Sequence, residues 1–137
     1  MRKFTLVSPI RVTLPRKTVK DVVVSLNLNI YRNAHHSVNN AIKQEYRNLM
    51  LPKVIELFED FKVTKPIRID YTLTVGTKRK LDISNVLCVV DKCFQDVLTE
   101  AGVLPDDNYE FVTEVRFKFG GYSKGLEQAL IEIHTQE

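Results

Sequence analysis

The sequence predicts an α+β domain: a mixed, mostly antiparallel sheet covered on one face by two helices, in the order β-β-α-β-α-β-β. Three observations lead there. Segments 67–75 and 129–134 alternate apolar and polar residues at the two-residue period of a half-buried strand. Segment 84–101 carries apolar residues at helical spacing and stops at Gly102. At 137 residues, 44% hydrophobic and 27% charged, the chain has the size and composition of one compact unit, a single domain over residues 1–137.

Residues 2–13 alternate through Phe4, Leu6, Ile10 and Val12, are broken by Ser8-Pro9, and read as an extended edge segment. Asp21–Tyr31 (DVVVSLNLNIY) is rich in β-branched residues and alternates at its end, so it reads as a second strand. Ser37 suits the N-cap of a helix over Val38–Phe61, with Pro52 expected to bend or interrupt it. Pro66 opens the strand Ile67–Val75. Ser84 or Asp82 caps the second helix, which runs to about Ala101. Tyr109–Phe119 alternates again, Gly120-Gly121 is expected to turn the chain, and Ala129–His134 supplies the last strand.

A chain of this size buries roughly two-thirds of its unfolded surface, so it needs no disulfide or structural metal to fold. Cys88 and Cys93, five residues apart inside one helix, suit neither a bridge nor a zinc pattern. Reduced thiols in the cytoplasm are expected. No signal core stands at the N-terminus, and no run approaches the ~18 apolar residues of a membrane span.

The formal charge of +3 says little by itself; its distribution says more. Arg2, Lys3, Arg11, Arg16, Lys17 and Lys20 crowd the first twenty residues, and Lys78-Arg79-Lys80 forms a second knot. Clustered cations are the footprint of phosphate contacts, although a solvated basic surface looks the same in sequence.

The informative stretch is 78–111. A basic loop leads into Asp82, then a helix, then the pair Asp106-Asp107. On a helical wheel, Val86, Leu87, Val90, Phe94 and Leu98 lie on the apolar arc, while Ser84, Cys88, Asp91 and Gln95 fall opposite with Lys92 on the shoulder. Asp91 is therefore expected to face away from the core. The structural account is a wet helix face and a polar turn, with Asp82 complementing the helix dipole. The chemical account is that carboxylates from three elements converge on Mg²⁺, a hard cation that takes oxygen ligands and commonly uses one or two protein carboxylates.

At these residues the sequence resembles the RusA-type Holliday-junction resolvases, in the manner of a phage or prophage variant. Asp82-Ile83-Ser84-Asn85 is similar to that family's Asp-x-Asp-Asn, and Asp106-Asp107 to its later acidic pair. The segment Asn29-Ile30-Tyr31-Arg32-Asn33-Ala34-His35 resembles its DNA-facing stretch. The likeness spans about residues 28–134. It departs at Ser84, where the family has a second aspartate, and at Cys88, where it has a lysine. A helix lengthened by one turn, with Asp91 and Lys92 taking over those roles, accommodates both departures; Asp91 then lies about 10 Å along the axis from Ser84.

The resemblance implies a homodimeric, Mg²⁺-dependent endonuclease for four-way junctions or related branched DNA, with Mn²⁺ as the substitute metal. Asp82, Asp91, Asp106 and Asp107 would hold the metal. Asp82, Asp91, Lys92 and Asp107 would carry the chemistry, with Lys92 neutralising developing charge. Arg32, His35, Lys78, Arg79 and Lys80 would contact DNA. The alternative is a catalytically silent DNA-binding module of the same fold, in which Ser84 and Cys88 mark a lost site. His35-His36 lacks a third ligand for zinc, and adjacent histidines are expected to diverge. Cys88 has no partner that would make it a nucleophile, and His134 reads as structural. Phe117, Phe119 and Tyr122 are candidate stacking surfaces for bases, though strand aromatics are more often core.

Overall fold

The computed structural model describes residues 1–17 and 19–136. Its elements, in chain order, are β1 (Lys3–Ser8), β2 (Arg11–Leu14), β3 (Val22–Ser25), α1 (Leu28–Asn33), α2 (His36–Phe58), β4 (Ile67–Val75), α3 (Ile83–Glu100), β5 (Val112–Tyr122) and β6 (Gln128–His134). The fold class is as the sequence predicts. A four-stranded sheet has the order β1-β6-β4-β5, and β2 and β3 form a separate hairpin. β1/β6, β6/β4 and β2/β3 are antiparallel, whereas β4 and β5 are parallel and joined across the sheet by α3.

Register places one set of side chains under the helices. Phe4 stands opposite Ile133, which stands opposite Ile69; Leu6, Ile131 and Tyr71 form the next row. These residues and their neighbours make the core with Ile42, Tyr46, Met50, Val54 and Phe58 of α2, repeated every fourth residue so that they line one face. The buried Tyr46 hydroxyl is satisfied by Ser8 Oγ at 2.7 Å. The other sheet face is polar and laced with ion pairs, including Lys3–Glu132 and Arg68–Asp70, with His134 Nε2 3.4 Å from Asp70.

Several local expectations are corrected. The segment read as a strand over Asp21–Tyr31 ends at Ser25, and residues 28–33 form α1 instead. The Asn27 side chain accepts the Asn29 amide, which starts a helix where the Leu28/Ile30 alternation suggests extended chain. The cap of α2 is His35 rather than Ser37: its Nδ1 accepts the Ser37 amide at 3.2 Å. That helix stops at Phe58, where Glu59 turns to φ 50°, and it passes through Pro52 without interruption. The edge segment 2–13 is two strands in two different sheets.

Tyr109–Phe111 precedes β5 rather than belonging to it, and Gly120-Gly121 does not turn the chain. Phe119 pairs with Leu73 and Gly121 with Thr74, so Gly120 is the extra residue of a bulge inside β5. A Cβ on Gly120 would sit 2.7 Å from Thr72 Cγ2, and Gly121 has φ +110°. Only glycine fits both places without strain.

Candidate active site on the third helix

α3 is buried by more than one layer, which decides where its polar groups go. It packs against the sheet, α2 and α1. Its exposed residues are Ser84, Lys92, Asp96 and Glu100, a narrow stripe at four-residue spacing. Cys93, on the α2 side, is buried, and burial pushes its thiol up to about 12. The expectation that Asp91 faces away from the core is therefore corrected. Asp91 and Gln95 lie at the margin of the stripe and turn inward, Gln95 to 9% exposure.

Asp91 is the most constrained acid of the region. Its Oδ1 accepts the Tyr71 hydroxyl at 2.6 Å and the Gln95 amide nitrogen at 2.8 Å. Tyr71 comes from the centre of β4 and is itself fully buried. A buried tyrosine hydroxyl needs a partner, and here the partner is a carboxylate. Burial raises the Asp91 pKa, the two hydrogen bonds pull it down, and the negative charge of Asp107 raises it again. Asp107 is thus close enough to act on Asp91 from the loop that follows α3. It acts on Asp96 too, whose pKa is raised chiefly by burial.

Lys43 and Lys92 lie near Asp96 and lower its pKa. Lys92 and Lys43 place their ammonium groups 5.8 and 6.0 Å from the centre of the Tyr31 ring. Hydrogen bonding to Tyr31 raises the Lys43 pKa despite its desolvation. Arg32, next on α1, lies near enough to lower the Cys88 thiol pKa, which burial otherwise raises. So α1, the element read as strand, carries Tyr31 and Arg32 to the exposed stripe of α3.

Asp82 is placed differently. It caps α3, and its Oδ1 accepts both the Ser84 amide at 3.0 Å and the Ser84 hydroxyl at 2.8 Å. Nine residues separate it from Asp91, about 13 Å along the helix. It lines a cavity of about 430 Å³ with Arg79, Lys80 and Asn85. Asp106 holds the turn before β5, accepting the Asp107 amide on Oδ1 and the Asn108 side chain on Oδ2. Lys78, Arg79 and Lys80 are exposed beside the start of α3. His35 is committed to its cap, and its ring lies 4.1 Å from that of His36 instead of diverging from it.

The sequence-predicted acids are thus not gathered at one point. Among the described residues, no three His, Cys, Asp or Glu side chains group as a metal cage. What does come together is Asp91 with the charge of Asp107, and Asp96 with Lys43 and Lys92. Asp91 Oδ1 carries both hydrogen bonds, and a bound cation would relieve the repulsion between Asp91 and Asp107. That donor set fits a cation that keeps most of its waters and takes one or two carboxylates. It does not fit a closed, four-ligand site. Sequence reasoning missed Tyr71 and Lys43, and it named Gln95 and Tyr31 without the contacts they make; the one available signal for the first was Tyr71 itself, a core-facing strand tyrosine whose hydroxyl demanded a partner.

Among curated proteins the chain is similar to the crossover junction endodeoxyribonuclease RusA of Aquifex aeolicus (strain VF5), 37% identical over 81 residues, covering 57% of this chain and 59% of that protein. The chain thus spans about three-fifths of that relative's length. No family model matches it. No helix among the described residues is long and apolar enough to cross a membrane.

Proposed function

We propose that this protein is a divalent-metal-dependent endodeoxyribonuclease of the RusA type, which cleaves Holliday junctions or related branched DNA by hydrolysing phosphodiester bonds. The observation that carries the reading is Asp91: a half-buried carboxylate oriented by Tyr71 and Gln95, with the charge of Asp107 acting on it. The similarity to a junction endonuclease over 81 residues supports the same conclusion.

Asp91 and Asp107 would hold the metal, with Mg²⁺ the preferred ion and Mn²⁺ its substitute. Bound there, the metal supplies Lewis acidity and a more acidic water for attack on phosphorus. The protein's own residues do the rest. Tyr71 and Gln95 fix the Asp91 carboxylate through Oδ1, and Oδ2 would be the oxygen offered to the metal. Lys92 sets a point positive charge where the phosphate gains negative charge. Arg32 and the Lys78–Lys80 loop draw the backbone in through phosphate contacts. Asp82 acts mainly by starting α3 and secondarily by lining the cavity under the basic loop. Two copies would nick a four-way junction symmetrically, in the cytoplasm of a bacterial or phage-infected cell.

A second reading is a DNA-binding module without catalysis, and one observation favours it: Asp82 spends an oxygen on Ser84. Incubation with a synthetic four-way junction, a flap and a plain duplex, in Mg²⁺ or in EDTA, separates the two. Paired, metal-dependent nicks on the junction support the nuclease. Salt-sensitive binding without nicks supports the silent module, and absence of binding overturns both.

A further inference from the structure

The bulge in β5 has a geometric effect at the far end of the sheet. Leu73 and Val75 both point to the helical face of β4, and their partners across the pair are Phe119 and Tyr122. In a regular ladder, residues 119 and 122 would lie on opposite faces. The extra residue at Gly120 restores Tyr122 to the face that carries Phe119. Two aromatic side chains therefore stand on one surface, and α3 does not cover them: Phe119 is 60% and Tyr122 45% exposed. Leu81 adds a third exposed apolar group at 44%.

This surface forms one wall of an open groove of about 510 Å³, and the loop carrying Lys78, Arg79 and Lys80 forms the other. Lys78 Nζ stands 5.7 Å from the Tyr122 ring centre. Among the described residues, none of the three cations pairs with a carboxylate. An apolar peptide would use the rings and leave the cations idle. A second copy meeting this patch about a two-fold axis would bring the two positive loops together. A nucleotide uses both features: its base has a face for the rings, and its phosphates match the cations.

We propose that Phe119 and Tyr122, edged by Lys78, Arg79 and Lys80, are a stacking platform for an unpaired nucleobase of a DNA strand. The groove borders Leu81 and Ile83, on either side of Asp82, so a base held there continues into a strand passing the start of α3. The inference rests on the nuclease reading for its ligand. In that context the base is one left unstacked at a branch point, and the groove selects branched over continuous DNA.

The test is binding in EDTA, so cleavage plays no part. A single-stranded oligonucleotide and a four-way junction, each carrying 2-aminopurine, and a plain duplex are titrated with the full chain and with Phe119→Ala/Tyr122→Ala. The variant is expected to bind the single strand and the junction about tenfold or more weakly and the duplex unchanged. The quenching of 2-aminopurine on binding should vanish with it. A second variant, Phe119→Tyr/Tyr122→Phe, keeps the rings and should bind as the native chain does. Its melting temperature and that of the alanine variant report whether either has lost its fold. Native-like binding by the alanine variant, or an equal loss on all three DNAs, overturns the platform while leaving the nuclease reading intact. A loss of self-association with DNA binding unchanged also overturns it. Failure of the native chain to bind any of the three DNAs removes the nuclease reading, and the platform falls with it.

Discussion

Asp82 and Asp91 belong to the same helix, about two and a half turns apart. Asp82 lies in water, and its carboxylate is engaged by the backbone amide and hydroxyl of Ser84. Asp91 lies half-buried, engaged by Tyr71 from the sheet and Gln95 from its own helix, and feels the charge of Asp107. The first arrangement stabilises a helix start. The second raises the proton affinity of the acid and fixes its direction. Residue type is shared; desolvation and the identity of the donors separate the two environments.

The largest effect should come from removing the charge at Asp91 without removing its oxygen. Asp91→Asn can keep Oδ1 as acceptor for both Tyr71 and Gln95. Junction cleavage should fall by roughly 10³-fold, the loss expected when about 4 kcal/mol of metal-assisted stabilisation goes, while junction binding in EDTA persists. Stability should move the other way. The folded-state pKa of Asp91 is raised, so the folded protein binds this proton more tightly than the unfolded chain does. Its contribution is full below the unfolded value of 3.8 and is lost as pH rises through the folded value. At pH 7 the charged side chain is therefore a penalty, and thermal melting of Asp91→Asn should match or exceed the native chain there, with the advantage disappearing in acid. A fully active Asp91→Asn would remove Asp91 from the mechanism.

Tyr71→Phe probes the same pocket from the sheet side. Losing an orienting hydrogen bond should lower cleavage by about 10–100-fold and stability by about 1 kcal/mol. Because the Tyr71 bond pulls the Asp91 pKa down, its removal should move the acid limb of the pH–rate profile to higher pH. An unmoved limb would mean that the limb reports another group.

At the other end of α3 the expected effects are smaller, and one pair of variants separates two roles. Asp82→Ala should cost about 1 kcal/mol in denaturant unfolding through the lost cap. Asp82→Asn keeps a capping oxygen and should restore it. If Asp82 is structural, Asp82→Asn also retains cleavage; stability restored without cleavage would make the two acids equals in the chemistry. The smallest effects belong to the basic loop. Alanine at Lys78, Arg79 or Lys80 should each lower the slope of log binding constant against log salt by about one, uniformly across DNA sequences.

The sequence makes β4, α3 and β6 legible because each carries a strong period and a marked boundary: Pro66 before β4, Asp82 and Gly102 around α3. It conceals α1, since a six-residue helix without a buried residue has no apolar stripe to display. It also conceals the bulge, because Gly-Gly is more often a turn, and only the approach of Thr72 shows why glycine stands there. For the candidate site, the resemblance points to Asp91, Lys92 and Asp107. The direction of Asp91 is not: a helical wheel assumes a single burying layer, and α3 has three neighbours. The bond to Tyr71 crosses twenty residues, a distance at which no local pattern operates.

The burial of α3 also sets how the site can fluctuate. Val90 and Phe94, on either side of Asp91, have no exposure, and Leu87 and Leu98 continue that wall. Separating Asp91 from Tyr71 by local opening would expose this apolar surface, so backbone amide exchange along the middle of α3 should require unfolding of the whole domain. The exposed loop at Lys78–Lys80 has no such anchor and should exchange within seconds. The acid would then be held by the slowest-opening part of the molecule, and the cations proposed to meet DNA would ride on one of the fastest.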